Sequence, residues 1–185
     1  AAGPVRIKAS MHDAARTGAP ANSYSFDGEL HDFTGKPRVT GELTGKLHLP
    51  PQPGALAAVK DAAGKDAAAP PFFNLKASVK ADMRGAALEQ VELDLDGAAE
   101  PQIVTGTASA GWASESKVDA TLTSKWLDLD QLTGQKDQQA NVAGLKHLFG
   151  ALVDAFAGEG SASTRVEVEQ VKFGGEQAGS LRIDA

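Results

Sequence analysis

The chain contains no cysteine. That excludes disulfides, thiolate nucleophiles and Cys-ligated zinc, and it leaves the redox compartment open. Aromatic side chains make up only 5% of the 185 residues, so any core must be built from small and branched aliphatic groups. Positive charge is in deficit. With 18 Lys and Arg against 24 Asp and Glu, the net charge of −6 offers nothing to a polyanion and argues against nucleic acid as a partner. Long apolar runs are missing too: no stretch approaches the roughly 20 residues needed to cross a bilayer. No signal peptide is recognisable. The chain opens at "AAGPVRIKAS", already close to a strand, which suggests an excised piece of a longer protein.

What the sequence does hold is alternation. In "FNLKASVKADMR", Phe73, Leu75, Ala77, Val79, Ala81 and Met83 occupy one parity, and Asn74, Lys76, Ser78, Lys80, Asp82 and Arg84 the other. Successive strand side chains point to opposite faces, so this is a strand dry on one side and wet on the other. The pattern returns at 5–10, 24–31, 39–49 and 118–126, and more weakly at 87–96, 102–112, 164–173 and 180–184. About nine half-buried strands predict antiparallel pairing. Trp112 and Trp126 fall on the dry parity, which predicts core anchors. Met83 to Val91 and Phe173 to Leu181 share an eight-residue spacing around a Gly bend. They read equally as a repeated hairpin or as two ordinary ones.

One segment departs from this period. Between Asn141 and Ala157, Val142, Leu145, Leu148, Phe149, Leu152, Val153 and Phe156 follow three-and-four spacing, predicting an amphipathic helix ended by Gly158 and Gly160. Residues 50–71, bounded by Pro pairs and rich in Ala, predict a flexible linker loop.

Two tetrapeptides test for chemistry. Leu-Asp-Leu-Asp occurs at 93–96 and again at 127–130, so Asp94 pairs with Asp96, and Asp128 with Asp130, on one strand face. Such carboxylates lie about 6.5–7 Å apart, within reach of a shared divalent cation. A hard cation needs six or more oxygens, and no acidic loop supplies them. The bland reading is therefore preferred: the Leu residues face the core and the Asp residues face water. Asp130 is also placed to cap a short turn after its strand. His12, His31, His48 and His147 are scattered, with His31 and His48 on wet faces. HExxH, GxSxG and phosphate-loop motifs are missing from the sequence. The expectation is a protein without catalytic residues, metal or cofactor.

Nine strands side by side span about 43 Å, whereas a helix is about 10 Å across. One helix covers two or three strands. The remaining dry face must close on itself as a barrel or sandwich, line a trough for an apolar ligand, or stack on other parts of the parent protein.

The tracts "FFNLKASVKADMRGAALEQVELDLDGA", "ATLTSKWLDLDQL" and "VEVEQVKFGGEQAGSLRIDA" resemble the AsmA family of Gram-negative bacteria, over most of 73–185 and loosely over 1–49. That resemblance implies a mainly β fold: a long, curved antiparallel sheet forming a trough or open barrel, with the 141–157 helix on its apolar face. It implies one AsmA-like β domain over 1–185, in the periplasm, within a parent protein anchored in the inner membrane. Membrane contact would come only through that anchor. The implied role is phospholipid movement toward the outer membrane and outer-membrane integrity, with acyl chains and the rest of the parent protein as partners. On that expectation the lipid-facing residues are Leu75, Val79, Met83, Val91, Leu93, Leu122 and Trp126.

Overall fold

The alternating runs become strands of one sheet. The structure, a computed structural model, describes residues 3–13, 21–32, 34–48, 72–96, 100–113, 117–133 and 161–184. The predicted helix at 141–157 and the linker at 50–71 lie outside the described residues. The strands are β1 (Val5–His12), β2 (Ser23–His31), β3 (Arg38–His48), β4 (Phe72–Asp82), β5 (Gly85–Leu95), β6 (Ile103–Gly111), β7 (Lys117–Asp128), β8 (Ser161–Phe173), β9 (Glu176–Ala178) and β10 (Leu181–Asp184). A single-turn helix, α1 (Leu129–Thr133), follows β7 directly.

Neighbours in the sheet follow chain order from β1 to β8, and β9 and β10 both lie on the outer side of β8. Every pair is antiparallel except β7 and β8, which run parallel. The expectation of a wholly antiparallel sheet is corrected at that one place. A parallel pair needs a crossover connection, and residues 129–160 provide it. Alternation reports which face of a strand is wet, not the direction of its neighbour, so the sequence pattern was silent on this point. Among the described residues no strand joins β1 to β10. The sheet is open.

Register aligns the dry side chains into rows that cross the strands. One row runs through Leu30, Val39, Ala81, Ala86, Ala110 and Val118. Another, nearer α1, runs through Tyr24, Gly45, Leu75, Leu93 and Val104. Bulky residues gather at the α1 end. There Phe73, Leu95, Val104, Leu127, Val166 and Val168 pack with Leu129 and Leu132 of α1 into the main core. Leu75, Ala77 and Val91 form a second cluster beside it.

The pleat slips in two places. Between Leu88 and Val91, β5 carries one residue more than either neighbour, and Gln90 takes φ 52° there. An extra residue of this kind is a β-bulge, which bends its strand and raises the local twist. The second slip is shared by two strands. Ser124 and Val168 are buried partners, but so are Leu127 and Val171, three residues further along each strand. An odd step moves the dry parity from even to odd numbers.

A third device lies in β2 and β3. Gly28 and Gly41 face each other across the ladder. A Cβ on Gly41 would lie 2.7 Å from Phe26 Cε2 and 2.6 Å from Gly28 Cα, and one on Gly28 would meet the Phe26 ring. The phenyl ring therefore lies across the glycine pair and supplies the apolar cover that they lack.

Candidate functional site: the apolar face and its polar clamps

The seven residues expected to face lipid divide into five situations. Leu75 and Val91 are buried in the second cluster. Leu93 and Leu122 are half-buried and pack against both clusters. Val79 is half-exposed, in register with Gly41 and Leu88. Met83 is 69% exposed, beyond the end of β4 in the turn to β5.

Trp126 departs from its expected face. The shared slip of β7 and β8 turns it away from the dry row, and it lines a cavity of about 710 Å³ with Ile103, Thr105, Thr123, Lys125 and Glu167. Thr105, Thr123 and Glu167 are wet-face residues, so this cavity lies on the polar side of the sheet. Trp112 is corrected as well. It is not a core anchor but half-exposed, and its Nε1–H donates to the Met83 carbonyl at 3.1 Å, closing the β4–β5 turn. Strict period-two counting misplaced both tryptophans, because it has no term for a slip or for a strand end.

The second Leu-Asp-Leu-Asp is a pair of clamps. Asp128 Oδ1 accepts the Gln131 backbone N–H at 2.9 Å, so Asp128 is the cap of α1. Its Oδ2 accepts a hydrogen bond from Lys172 Nζ at 3.0 Å, which raises the Lys172 pKa above its ordinary value. Asp130 accepts N–H groups across a long sequence distance. Its two carboxylate oxygens take Gly174 N–H and Gly175 N–H, each at 2.7 Å. Both glycines have positive φ, 65° and 81°, and their N–H groups have left the ladder to make the β8–β9 turn. Gly174 and Gly175 lie far from Asp130 in sequence, so nothing local announced these two contacts.

Gln102 completes this corner and was missed. It is only 1% exposed. Its Nε2 donates to Gln131 Oε1 at 2.7 Å, and its Oε1 accepts the Asp128 backbone N–H at 2.7 Å. A buried amide costs little when both ends are bonded. Here it ties the start of β6 to the β7–α1 junction.

Asp94 and Asp96 remain on the wet parity of β5 and its end, opposite Asn74 and beside Phe72. Among the described residues no group of three or more His, Asp and Glu stands close enough to hold a metal ion. Among the described residues the histidines do not converge. His31 Nε2 lies 3.5 Å from Glu29 and 3.3 Å from Thr40 Oγ1. His48, expected to be solvated, is half-buried against the Phe72 ring, and its Nδ1 is buried without a hydrogen-bond partner.

Ion pairs knit the wet face across strands. Asp27 on β2 receives Arg6 and Lys8 of β1 at 3.0 and 3.1 Å. Hydrogen bonds from Arg6 and then Lys8 hold its carboxyl below the usual carboxylate range, against an opposing effect of burial. At the other edge, Arg165 of β8 and Arg182 do the same for Asp184 of β10.

Among the described residues the arrangement is thus a broad apolar surface, buried toward α1 and part-exposed elsewhere, backed by a charge-paired polar surface. The chain matches no protein-family model, no curated protein and no solved structure.

Proposed function

We propose that the chain is a non-enzymatic segment of a periplasmic, AsmA-like envelope protein whose apolar sheet face carries phospholipid acyl chains. In this role it contributes to lipid movement between the inner and outer membranes and to outer-membrane integrity. The observation that carries the reading is the open dry face. Rows such as Leu30, Val39, Ala81, Ala86, Ala110 and Val118 run unbroken across the strands, yet every one of these side chains stays part-exposed. A row of small and aliphatic side chains left accessible is what a hydrocarbon chain needs, and burying apolar area is favourable by roughly 25 cal/mol per Å². The sequence resemblance to AsmA proteins points the same way.

A second reading has its own support. The cluster of Phe73, Leu95, Leu127, Leu129, Leu132 and Val166 is self-filled. Were that packing extended over the rest of the face, the chain would be a structural or assembly module of the envelope acting through protein contacts.

Native mass spectrometry of the purified full chain separates the two. The lipid reading expects co-purified diacyl phospholipid, lost in Val79→Glu while circular dichroism stays unchanged. A delipidated chain with no measurable affinity for dihexanoylphosphatidylcholine monomers would overturn it.

A further inference from the structure

The two edges of the sheet are built differently. At one edge β9 has three residues and β10 four, with a break at 179–180 between them. Short, interrupted strands are a common way to stop further pairing. The other edge, β1, runs eight residues without proline, bulge or glycine. Seven of those residues are exposed and only Ile7 is part-buried. About half of its N–H and C=O groups point away from β2. Among the described residues nothing pairs with them.

Charge on an edge strand usually defends it, most effectively when it points inward. Arg6 and Lys8 stand on the wet side instead, and both are drawn back onto Asp27. The dry side of β1 is Val5, Ile7, Ala9 and Met11, continuing the rows of β2. The edge is left selective rather than blocked. Elsewhere the sheet places acid beside base on adjacent strands: Lys80 of β4 holds Glu89 of β5 at 2.7 Å, and Arg165 of β8 holds Asp184 of β10 at 2.7 Å. The same rule applied outward from β1 calls for acids opposite Arg6 and Lys8. It also disfavours a second copy of β1, whose own cationic row would lie alongside.

We propose that β1 is a strand-addition site for an extended segment of a partner polypeptide in which apolar and acidic residues alternate. Main-chain bonds to the edge would give affinity, and the cationic row would give selectivity.

The test uses the full chain and three synthetic peptides, VEVEVEV, VKVKVKV and the interrupted VEVPVEV. Fluorescence anisotropy is expected to show VEVEVEV binding about tenfold or more tighter than either control. Hydrogen exchange is expected to slow at the amides of residues 5–12 and not at those of β10. The double variant Arg6→Glu, Lys8→Glu is expected to reverse the preference toward VKVKVKV, which also shows that the edge is still folded. Equal binding of the acidic and basic peptides, or protection appearing elsewhere, overturns the proposal. So does a dimeric mass with β1 already protected in the absence of peptide, because a second copy would then be the occupant.

Discussion

From β4 to β8 the apolar rows are sealed toward one end of the strands, whereas from β1 to β3 the same rows stay at least partly open. Both regions carry the same alternation, and register carries each row across the boundary between β3 and β4 without a break. Yet none of the apolar side chains on β1, β2 or β3 is buried, while Phe73, Leu75, Val104, Val166 and Val168 are. Pattern alone therefore does not make a core. Burial is deepest where Leu129 and Leu132 of α1 pack on Phe73, Leu95, Val104, Leu127, Val166 and Val168. The β1–β3 wing is held by its ladders, by Tyr24, Leu43 and Leu47 packed against the second cluster, by the Arg6–Asp27–Lys8 cluster and by a phenyl ring over two glycines.

The largest break in this comparison should come from the lid. Leu129 is 2% exposed, and Leu129→Ala is expected to destabilise the fold by about 3 kcal/mol in urea titration, through lost transfer energy and the cavity left behind. Val5→Ala on the wing removes a side chain that is 46% exposed and should cost under about 0.5 kcal/mol. Comparable losses at the two sites would mean the wing is as tightly packed as the lid.

Next in size is the buried amide. Gln102→Met keeps the volume but strands the Asp128 backbone N–H and the Gln131 side chain, and should cost about 2 kcal/mol. The loss should appear as faster exchange at Asp128 and Gln131 and leave β1 to β3 unchanged. An unaltered exchange pattern would show that water replaces the amide at no cost.

Much of this architecture was legible in the residues. The strands at 38–48 and 72–82 follow from parity, because polar and apolar side chains alternate without a break over 39–48 and 73–82. The bulge at Gln90 also left a trace: Ala86 and Leu88 are even, while Val91, Leu93 and Leu95 are odd, and only an extra residue reconciles them. The slip near Trp126 left a similar but weaker one in the step from Leu122 to Leu127. The contact of Asp130 left none, since Asp130 and Gly174 lie 44 residues apart and a carboxylate on a wet parity looks the same whether it meets water or a distant turn. The open or closed state of the face was equally illegible. It depends on which strands meet at the edges, and parity carries no such information.

A smaller effect probes how the wing holds its ring. Phe26→Ala should uncover Gly28 and Gly41 and cost about 1 kcal/mol, concentrated in β1 and β2. Exchange of the β2 amides should quicken while those of β7 and β8 hold their rates. Equal quickening in both regions would mean that the wing and the core unfold as one unit, and the contrast between them would be one of packing only, not of local stability.

The smallest effect, and the one that separates edges from core, is acid. Asp27 and Asp184 both sit below their ordinary value of 3.8 in the folded state, through hydrogen bonds from Arg6 and Lys8 and from Arg165 and Arg182. A depressed carboxyl pKa stabilises the fold above the unfolded value, and that contribution fades as pH falls through the folded one. Both carboxylates are solvent-exposed, so salt screens them and the gain is modest. Lowering the pH from 5 toward 3 should therefore loosen β1 and β10 before β7, seen as chemical-shift changes at the edge amides while those of Leu127 and Val166 stay fixed. Asp27→Asn should remove the acid response at β1 and spare that at β10. If β7 shifts together with β1 in the unsubstituted chain, the edges share the core's cooperativity, and strand addition at β1 would then have to act on the whole sheet rather than on one wing.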